Sequence, residues 1–403
     1  MTIIVKPELL NPDYPIEAFS EVLYPREEQI KQLNNIFKEF GEYGHFQLSL
    51  VLGLPGTGKT TFVRYVAYNY LKSNPRYKEV YYINCKNLSG RAVEKTLFFK
   101  LYKPSLFNEF ELKDIQRNKS WSYGITRIFE KEKDRRVALI FDEVDYPIFL
   151  KNSIGDRFLH SLIRIPESTG NLNVSILLIT NKLKFRLKLS DEVRQFLFYN
   201  IKFPPYHTGD LLEIVKRRAT FSLKKGSWDI DVLAYLVKKV VEVTSEQNQG
   251  NARYVIKALR YASILADEQH KDKIDYDTVD MAIQQIKRDS ITDDLRTIPL
   301  SHLVTIKAMI LLHREKSKLR AGLEAFYPPE MSSSEILHLT NKILSEMGKK
   351  NISYRNLNYI LSDLQKSDII KKTNTVKNKY LYCITEDIDI LEKAVDEVLK
   401  EYL

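Results

Sequence analysis

The feature that most constrains this chain is the run Gly53-Leu54-Pro55-Gly56-Thr57-Gly58-Lys59-Thr60. It matches the phosphate-binding pattern G-x-x-x-x-G-K-[ST] at every fixed position. The alternating apolar residues of 45–52 predict a buried strand before it, and apolar residues at helical spacing predict a helix after it. A strand, a glycine-rich turn and a helix start are the context in which this pattern predicts a phosphate site.

Each part of the loop then has an expected role toward ATP or ADP. Backbone amides at the helix start direct partial positive charge at the anion. Lys59 is expected to contact the β- and γ-phosphates, and Thr60 to hold Mg²⁺ through its hydroxyl. The alternative is a glycine-rich turn that caps an ordinary helix, but the complete motif and its flanking elements favour the nucleotide site. The predicted loop contacts are Gly53, Leu54, Pro55, Gly56, Thr57, Gly58, Lys59 and Thr60.

A second group of candidate site residues follows buried strands. The continuous apolar run Val137–Phe141 predicts a central parallel strand, and it ends in Asp142-Glu143-Val144-Asp145. Carboxylates at the end of such a strand lie beside the phosphate loop. Asp142 is the expected Mg²⁺ partner, in the second sphere or through water, and Glu143 is the expected base for the attacking water. The alternative is a simple acidic loop after a strand.

Two further polar residues are weaker candidates. Asn181 follows a third buried strand, 174–180, and can hydrogen-bond the attacking water or the γ-phosphate, although an asparagine there is also a common turn former. Arg253 stands near a helix start in the helical stretch after Phe203-Pro204-Pro205-Tyr206. If those helices form a lid over the nucleotide, Arg253 can reach the γ-phosphate; otherwise it is a surface arginine.

Composition limits the class of protein. A chain of 403 residues predicts two or three domains. Two distant cysteines, Cys85 and Cys383, argue against a disulfide framework or a zinc site. The absence of a signal-like N-terminus and of any membrane-length apolar run predicts a cytoplasmic protein without membrane contact, associated with the nucleoid if it binds DNA.

The C-terminal block predicts a DNA-binding module. Residues 297–382 hold 14 Lys and Arg against 7 Asp and Glu, and three helical patterns there precede two strand-like runs. This order predicts a winged helix-turn-helix whose third helix, Tyr354–Lys366 capped by Ser353, enters the major groove of double-stranded DNA. The acidic end, Glu386–Leu403, is expected to be a solvated helix. The candidate DNA contacts are Tyr354, Arg355, Asn358, Lys371, Lys372, Lys377 and Lys379.

With these pieces in order, the chain resembles the archaeal origin-recognition initiators, AAA+ ATPases related to eukaryotic origin-recognition and licensing factors. The resemblance covers about Tyr24 to Tyr382. It implies an α/β P-loop AAA+ parallel-sheet domain (1–206), a helical lid domain (207–295) and a winged-helix domain (296–403). Asn181 would be the first sensor and Arg253 the second, Tyr206 would join the nucleotide contacts, and Leu106–Trp121 would hold an insertion that makes a second DNA contact.

The chain departs from that family at two places. Where the family usually reads Asp-Pro-Arg-Val, this chain reads Ser190-Asp191-Glu192-Val193, so Glu192 occupies the arginine-finger position. Arg194 is the alternative finger, and ATPase activation between subunits is in question. The wing also offers lysines in place of a glycine-arginine tip, and lysine reads bases less specifically than arginine.

Three functions are therefore to be compared. The first is an initiator with slow, switch-like ATP turnover that recognises origin DNA and helps recruit or load the replicative helicase, with paralogous initiators as further partners. The second is a nucleotide-bound transcription regulator of the same fold. The third is a signalling or chaperone-like AAA+ ATPase, which the basic C-terminal block disfavours.

Overall fold

The computed structural model of the chain describes residues 2–14, 23, 26–43, 45–73, 79–86, 88–118, 120–144, 154–244, 250–319, 329–367, 369–376 and 379–402. The acidic residue Asp145 and the wing residue Lys377 lie outside these ranges. Contacts divide the chain into two compact units, one of Met1–Val241 with Gln247–Tyr276 and one of Glu242–Glu246 with Asp277–Leu403. The three-domain division of the sequence stays a prediction.

The first unit is an α/β domain followed by further helices. Its strands are β1 (Gln47–Gly53), β2 (Glu79–Asn84), β3 (Val137–Asp142), β4 (Val174–Thr180) and β5 (Leu197–Phe203). Its helices are α1 (Glu27–Tyr43), α2 (Lys59–Ser73), α3 (Gly90–Leu101), α4 (Glu109–Asn118), α5 (Trp121–Lys131), α6 (Ile154–Ile163), α7 (Ile165–Thr169), α8 (Asp191–Gln195), α9 (Thr208–Ser222), α10 (Ile230–Val243) and α11 (Ala252–Glu268).

The five strands form one parallel sheet in the order β2-β3-β4-β1-β5. Strands β1, β3 and β4 are buried along their whole length, as their continuous apolar runs predict. Strand β5 lies at an edge and alternates between buried and exposed residues near its end. Because β1, β3 and β4 are neighbours, the phosphate loop, Asp142 and Asn181 all follow strand ends at one edge of the sheet.

Apolar side chains cover the sheet on both faces. Leu48, Leu50 and Leu52 of β1 pack into one core, which includes residues of α3, α5 and α6. Val51 points to the other face, where it packs with residues of α1 and α2. This alternation follows from the period of two along a strand. The sheet therefore holds the ends of its strands between two layers of helices.

The segment Leu106–Trp121 folds onto the main core. It is partly helical, with a short 3₁₀ turn, helix α4 and the start of α5. Phe107 and Trp121 lie 5.9 and 5.5 Å from the ring centre of Phe98, and both are buried. The buried groups come from different elements, which explains why the sequence shows no single helical or strand period here.

The second unit is a winged helix. Its helices are α12 (Tyr276–Leu295), α13 (Leu300–Leu319), α14 (Ser333–Glu346), α15 (Tyr354–Lys366) and α16 (Ile388–Leu399). Its strands are β6 (Met331–Ser332), β7 (Ile370–Val376) and β8 (Lys379–Ile384), which form an antiparallel sheet in the order β6-β8-β7. The predicted third helix and the hairpin after it are confirmed.

One prediction for the second unit is wrong. The acidic C-terminal segment is not a solvated helix, because α16 buries Leu391, Val395 and Val398 in the core of the winged helix. These residues recur at helical spacing, a signal that the excess of acidic residues concealed. In the wing, β7 extends from Ile370 to Val376.

The described residues were also compared with the requirements for a disulfide, a metal cluster and a membrane-spanning helix. The two cysteines are buried free thiols. Within the described ranges, no cluster of three or more His, Cys, Asp or Glu side chains is arranged to hold a metal ion. None of the helices in those same ranges is both long and apolar enough to span a lipid bilayer.

Candidate nucleotide site and nucleic-acid interface

The phosphate loop lies between β1 and α2, at the predicted place. Gly56 and Gly58 adopt φ angles of 70° and 89°, in the left-handed region that glycine tolerates without strain. Helix α2 begins at Lys59, so its free amides face the loop. The Lys59 ammonium is buried and donates to the Leu54 carbonyl at 2.7 Å. The lysine ammonium thus lies inside the loop, where a bound phosphate would accept its hydrogen bonds.

Asp142 lies at the end of β3 and joins the loop to the neighbouring strand. Its Oδ2 accepts hydrogen bonds from the Thr60 hydroxyl and the Tyr82 hydroxyl, each at 2.7 Å. Burial, and then the nearby Asp142 carboxylate, raise the pKa of Tyr82 well above its usual range, so the phenol stays a donor. A threonine hydroxyl beside a carboxylate is an oxygen set suited to Mg²⁺, which keeps most of its ligands from water and phosphate.

Tyr82 is a site residue that the sequence did not reveal. It lies on β2, which pairs with β3 so that Asn84 faces Asp142. Its side chain therefore reaches the same edge of the sheet as the acidic residues. Tyr82 reaches the site only because β2 is the neighbour of β3 in the sheet. The alternation of residues along β2 does not predict which strand lies beside it.

Glu143 has an unusual backbone conformation. Its φ angle is 55°, in the left-handed region that costs a non-glycine residue free energy, and its amide donates to Asp142 Oδ1 at 2.8 Å. The turn directs Glu143 toward the cleft instead of continuing the strand, and Asn181 lines the same cleft. The structure therefore brings the predicted base, the predicted metal residue and the predicted first sensor together.

The cleft has two chemically different ends. Its polar end holds the phosphate loop, Asp142, Glu143 and Asn181. Its other end is mostly apolar and is formed by the N-terminal segment and by helices α9 and α11. A polar end and an apolar end suit a polyphosphate joined to a planar base. The lining residues of the apolar end are Pro12, Leu23, Tyr206, Ile214, Arg218 and Ile256.

Arg26 is a second residue that the sequence did not reveal. Its guanidinium lies 3.6 Å from the centre of the Tyr206 ring and donates to the Pro204 carbonyl at 2.7 Å. It also donates to the Thr57 carbonyl at 3.3 Å, so it links the phosphate loop to the segment that follows β5. Tyr206 is buried and lines the cleft beside Gly58, as its predicted role requires.

The start of α11 is attached to the phosphate loop. The Ala252 amide donates to the Gly56 carbonyl at 3.1 Å, and the Asn251 side chain caps the helix by accepting from the Arg253 amide at 3.0 Å. The Arg253 side chain is half-exposed, lines the cleft and pairs with Asp13 at 3.4 Å. The predicted second sensor therefore reaches the nucleotide cleft.

Arg218 is a buried cation at the apolar end of the cleft. It is 3% exposed and donates to the Leu9 carbonyl at 2.5 Å. Among the residues that the structure describes, no carboxylate compensates its charge, and burial lowers the pKa of Arg218 to about 10. This third unforeseen residue links α9 to the N-terminal segment.

The position expected for an arginine finger is occupied by a different network. Glu192 is exposed and its carboxylate lies 3.1 Å from His160 Nδ1, while His160 Nε2 lies 3.1 Å from the Ser190 hydroxyl. Arg194 pairs with Asp191 on the same short helix. Neither Glu192 nor Arg194 lines the nucleotide cleft of this chain.

In the winged helix, α15 has the predicted polarity. Ser353 caps it by accepting from the Asn356 amide at 3.2 Å. Tyr354, Arg355 and Asn358 are exposed, whereas the apolar positions between them are buried. On β7, Lys371 is exposed and the Lys372 ammonium lies 3.1 Å from the centre of the Tyr380 ring. Lys379 begins β8.

A phosphate loop in a five-stranded parallel sheet, a helix fastened onto that loop and a winged helix define an AAA+ ATPase fold. Residues 212–284 match the family described as the Cdc6 AAA+ ATPase-type lid domain. The ORC1-type DNA replication protein 1 of Sulfurisphaera tokodaii is 26% identical over 98% of this chain and 92% of its own length. The protein of the same description from Methanothermobacter thermautotrophicus is 30% identical over 60% of this chain and 56% of its own. The chain is thus similar over nearly its whole length to archaeal ORC1-type DNA replication proteins.

Two solved structures have the same fold. The Aeropyrum pernix ORC1 protein in complex with DNA has a TM-score of 0.70 at 22% identity, with both chains fully covered. The Aeropyrum pernix ORC2 protein in ADPNP-ADP complexes has a TM-score of 0.61 at 16% identity, with 99% of each chain covered.

Proposed function

We propose that this chain is a replication initiator that binds ATP in the cleft and double-stranded origin DNA through the winged helix. The observation that carries the proposal is the presence, in one chain, of a complete P-loop cleft and of a capped helix that exposes Arg355 and Asn358. The relatives named as DNA replication proteins align with nearly the whole chain, which supports the same role here. The division into 1–206, 207–295 and 296–403 is proposed as its domain organisation.

In the proposed site, binding begins at the phosphate loop. Lys59 exchanges its bond to the Leu54 carbonyl for charge-assisted bonds to the β- and γ-phosphates. Thr60 and Asp142 are the residues that would hold Mg²⁺, whose charge offsets that of the phosphates when it is bound. Tyr206 and the apolar end of the cleft would enclose the rest of the nucleotide.

Hydrolysis would use Glu143 as the base that accepts a proton from water, with Asn181 orienting that water and Arg253 contacting the γ-phosphate. For this contact Arg253 would release Asp13, with which it pairs at the surface. Such an exchange lets the lid register the presence of the γ-phosphate. We propose slow turnover, because ATP then acts as a structural switch.

The contacts around Glu192 support slow, switch-like ATP turnover instead of fast hydrolysis activated by a neighbouring subunit. A carboxylate at that position repels the γ-phosphate of a neighbouring subunit, and Arg194 is already paired with Asp191. His160 lies against Glu192 and holds the carboxylate in this surface. Activation of one subunit by its neighbour is therefore expected to be weak.

On DNA, α15 would lie in the major groove with its N-terminal end toward the bases. Arg355 can bond guanine and Asn358 can bond adenine through two hydrogen bonds each. Tyr354 would face the base edges with them, and Lys371, Lys372, Lys377 and Lys379 would contact the phosphate backbone. The assembled complex would help recruit or load the replicative helicase, together with paralogous initiators.

A second candidate is a nucleotide-bound transcription regulator of the same fold, which the Glu192 substitution favours. Footprinting across the genome, with ATP and with ADP, separates the two functions. Protection at an origin that depends on the nucleotide supports an initiator, and protection confined to promoters supports a regulator. The Lys59→Ala variant is the control, because it should lose the dependence on nucleotide while the winged helix stays intact.

A further inference from the structure

Aromatic rings are exposed on the same winged helix that carries the candidate DNA contacts. Tyr354, Tyr359 and Tyr380 are 53%, 59% and 48% exposed. Tyr354 and Tyr359 lie on α15, and Tyr380 lies on β8 of the wing. A tyrosine ring has an apolar face and a polar hydroxyl, so an exposed one offers a ligand both a stacking surface and a hydrogen bond.

Cationic side chains hold two of these rings. The Lys372 ammonium lies 3.1 Å from the centre of the Tyr380 ring, close enough for a strong cation–π contact. The Arg355 guanidinium lies 5.9 Å from the centre of the Tyr359 ring and bonds its hydroxyl at 3.4 Å. Each ring therefore has a positive charge beside it and a large part of its surface open to solvent.

All three rings belong to the two elements that carry the candidate DNA contacts, α15 and the wing. Tyr359 lies five residues after Tyr354, about 7.5 Å further along the axis of α15 and about 140° around it, on the side of the helix that carries Arg355. We call Tyr354, Tyr359 and Tyr380 the tyrosine surface.

We propose that the tyrosine surface binds unpaired nucleotides of DNA by stacking, in addition to the duplex contacts of α15. An open aromatic face with a cation next to it is the combination that holds a base and its phosphate in single-strand binding proteins. Bases inside an intact duplex are already stacked on one another, so they cannot offer their faces to these rings. The proposal rests on the proposed DNA-binding function and adds a second form of DNA as a ligand.

The test compares two DNA molecules and two sets of substitutions. The full chain with ATP is titrated by fluorescence anisotropy against a duplex, and against the same duplex with a short central stretch of mismatched bases. Tyr359→Leu with Tyr380→Leu removes the rings, whereas Tyr359→Phe with Tyr380→Phe keeps the rings and removes only the hydroxyls. Both side chains are exposed, and melting curves check that each variant folds.

The wild-type chain is expected to bind the mismatched duplex more tightly than the intact one. The leucine variant should lose about tenfold in affinity for the mismatched duplex and change by less than about twofold on the intact one. The phenylalanine variant should match the wild type on both. Equal losses on both DNA molecules would overturn the proposal, since the rings would then be duplex contacts.

Two other outcomes are also decisive. If the leucine variant binds both DNA molecules like the wild type, the tyrosine surface serves another partner and the proposal is wrong. If the wild type fails to bind the intact duplex at all, it is the proposed initiator function that fails. In that case a ring-dependent affinity for mismatched DNA would still support the tyrosine surface.

Discussion

The Ala252 amide donates to the Gly56 carbonyl at 3.1 Å, so the first turn of α11 is fastened to the phosphate loop. Beside this bond, Asn251 lies so close to Gly56 that a Cβ on that glycine would overlap its side-chain oxygen. The position of the lid helix and the shape of the loop are therefore coupled through one backbone hydrogen bond and one adjacent side-chain contact.

Gly56→Ala should disturb both the loop and the lid. The φ angle of 70° is unfavourable for alanine by about 1–2 kcal/mol, and the added methyl displaces Asn251. We expect a lower melting temperature and weaker ATP binding, measured by calorimetry. Gly209→Ala is the matched control, because a Cβ there meets nothing within 4 Å. Unchanged melting and binding in Gly56→Ala would show that the lid contact does not matter.

Glu143→Gln should retain ATP but stop hydrolysis, because an amide cannot accept a proton from water. A lost general base predicts a fall of about 10²- to 10⁴-fold in the single-turnover rate. Glu213→Gln, on the surface of α9 and paired with Lys216, is the control and should hydrolyse ATP like the wild type. A rate unchanged by Glu143→Gln would move the base to another residue.

Glu192→Arg tests whether subunits meet with this surface against a neighbour's nucleotide. If they do, an arginine there stabilises the γ-phosphate charge of the neighbour. The ATPase rate per protein molecule of the variant should then rise with protein concentration. The measurement is steady-state hydrolysis over a dilution series, for the wild type and the variant. If the total rate stays proportional to protein concentration in both the wild type and the variant, the protein works as a monomeric switch.

Arg218→Met should distinguish the contributions of the two ends of the cleft to ATP binding. We expect about tenfold weaker ATP binding and unchanged binding of inorganic tripolyphosphate, because the residue lies at the apolar end. The melting temperature should hold or rise, since the variant removes a buried charge that has no described carboxylate beside it. Lys59→Ala is the contrast and should weaken both ligands. Equal losses of ATP and tripolyphosphate in Arg218→Met would contradict this assignment.

Arg355→Ala and Lys371→Ala should affect DNA binding in different ways. The arginine variant should lose about 1–3 kcal/mol of preference for the specific duplex and keep its salt dependence. The lysine variant should weaken specific and random duplexes alike, with a salt slope shallower by about 0.9. Titrations of both variants against both duplexes over a salt series measure these effects. If Arg355→Ala weakens both duplexes equally, α15 is not the element that reads the sequence.

Much of the fold could be predicted from local patterns. The phosphate loop, the buried strands β1, β3 and β4, and the bounds of α15 all follow from spacing and capping residues within short windows. The acidic residues of the C-terminal helix predict a solvated helix, whereas the helical spacing of Leu391, Val395 and Val398 gives it a buried face. Burial of one helical face is compatible with a charged opposite face.

The residues missed at the site have one cause in common. Arg26, Tyr82 and Arg218 reach it from elements that are distant in sequence, and their partners are backbone carbonyls or a carboxylate on another strand. No local motif marks such contacts, because they depend on strand order and on helix placement. Glu143 illustrates the opposite case, in which a motif located the residue but not its left-handed backbone.

The place of β1 in the sheet has a consequence for how the protein is made. Gly53, the first residue of the phosphate loop, pairs with Phe203, about 150 residues later, and Leu52 pairs with Thr180. A chain emerging from the ribosome therefore carries its phosphate loop long before the strands on either side of it exist. Since such distant pairings form slowly, nucleotide capture should begin only after β5 has been synthesised. Truncated chains that end before Leu197 should fail to retain ATP even though every motif residue of the loop is present.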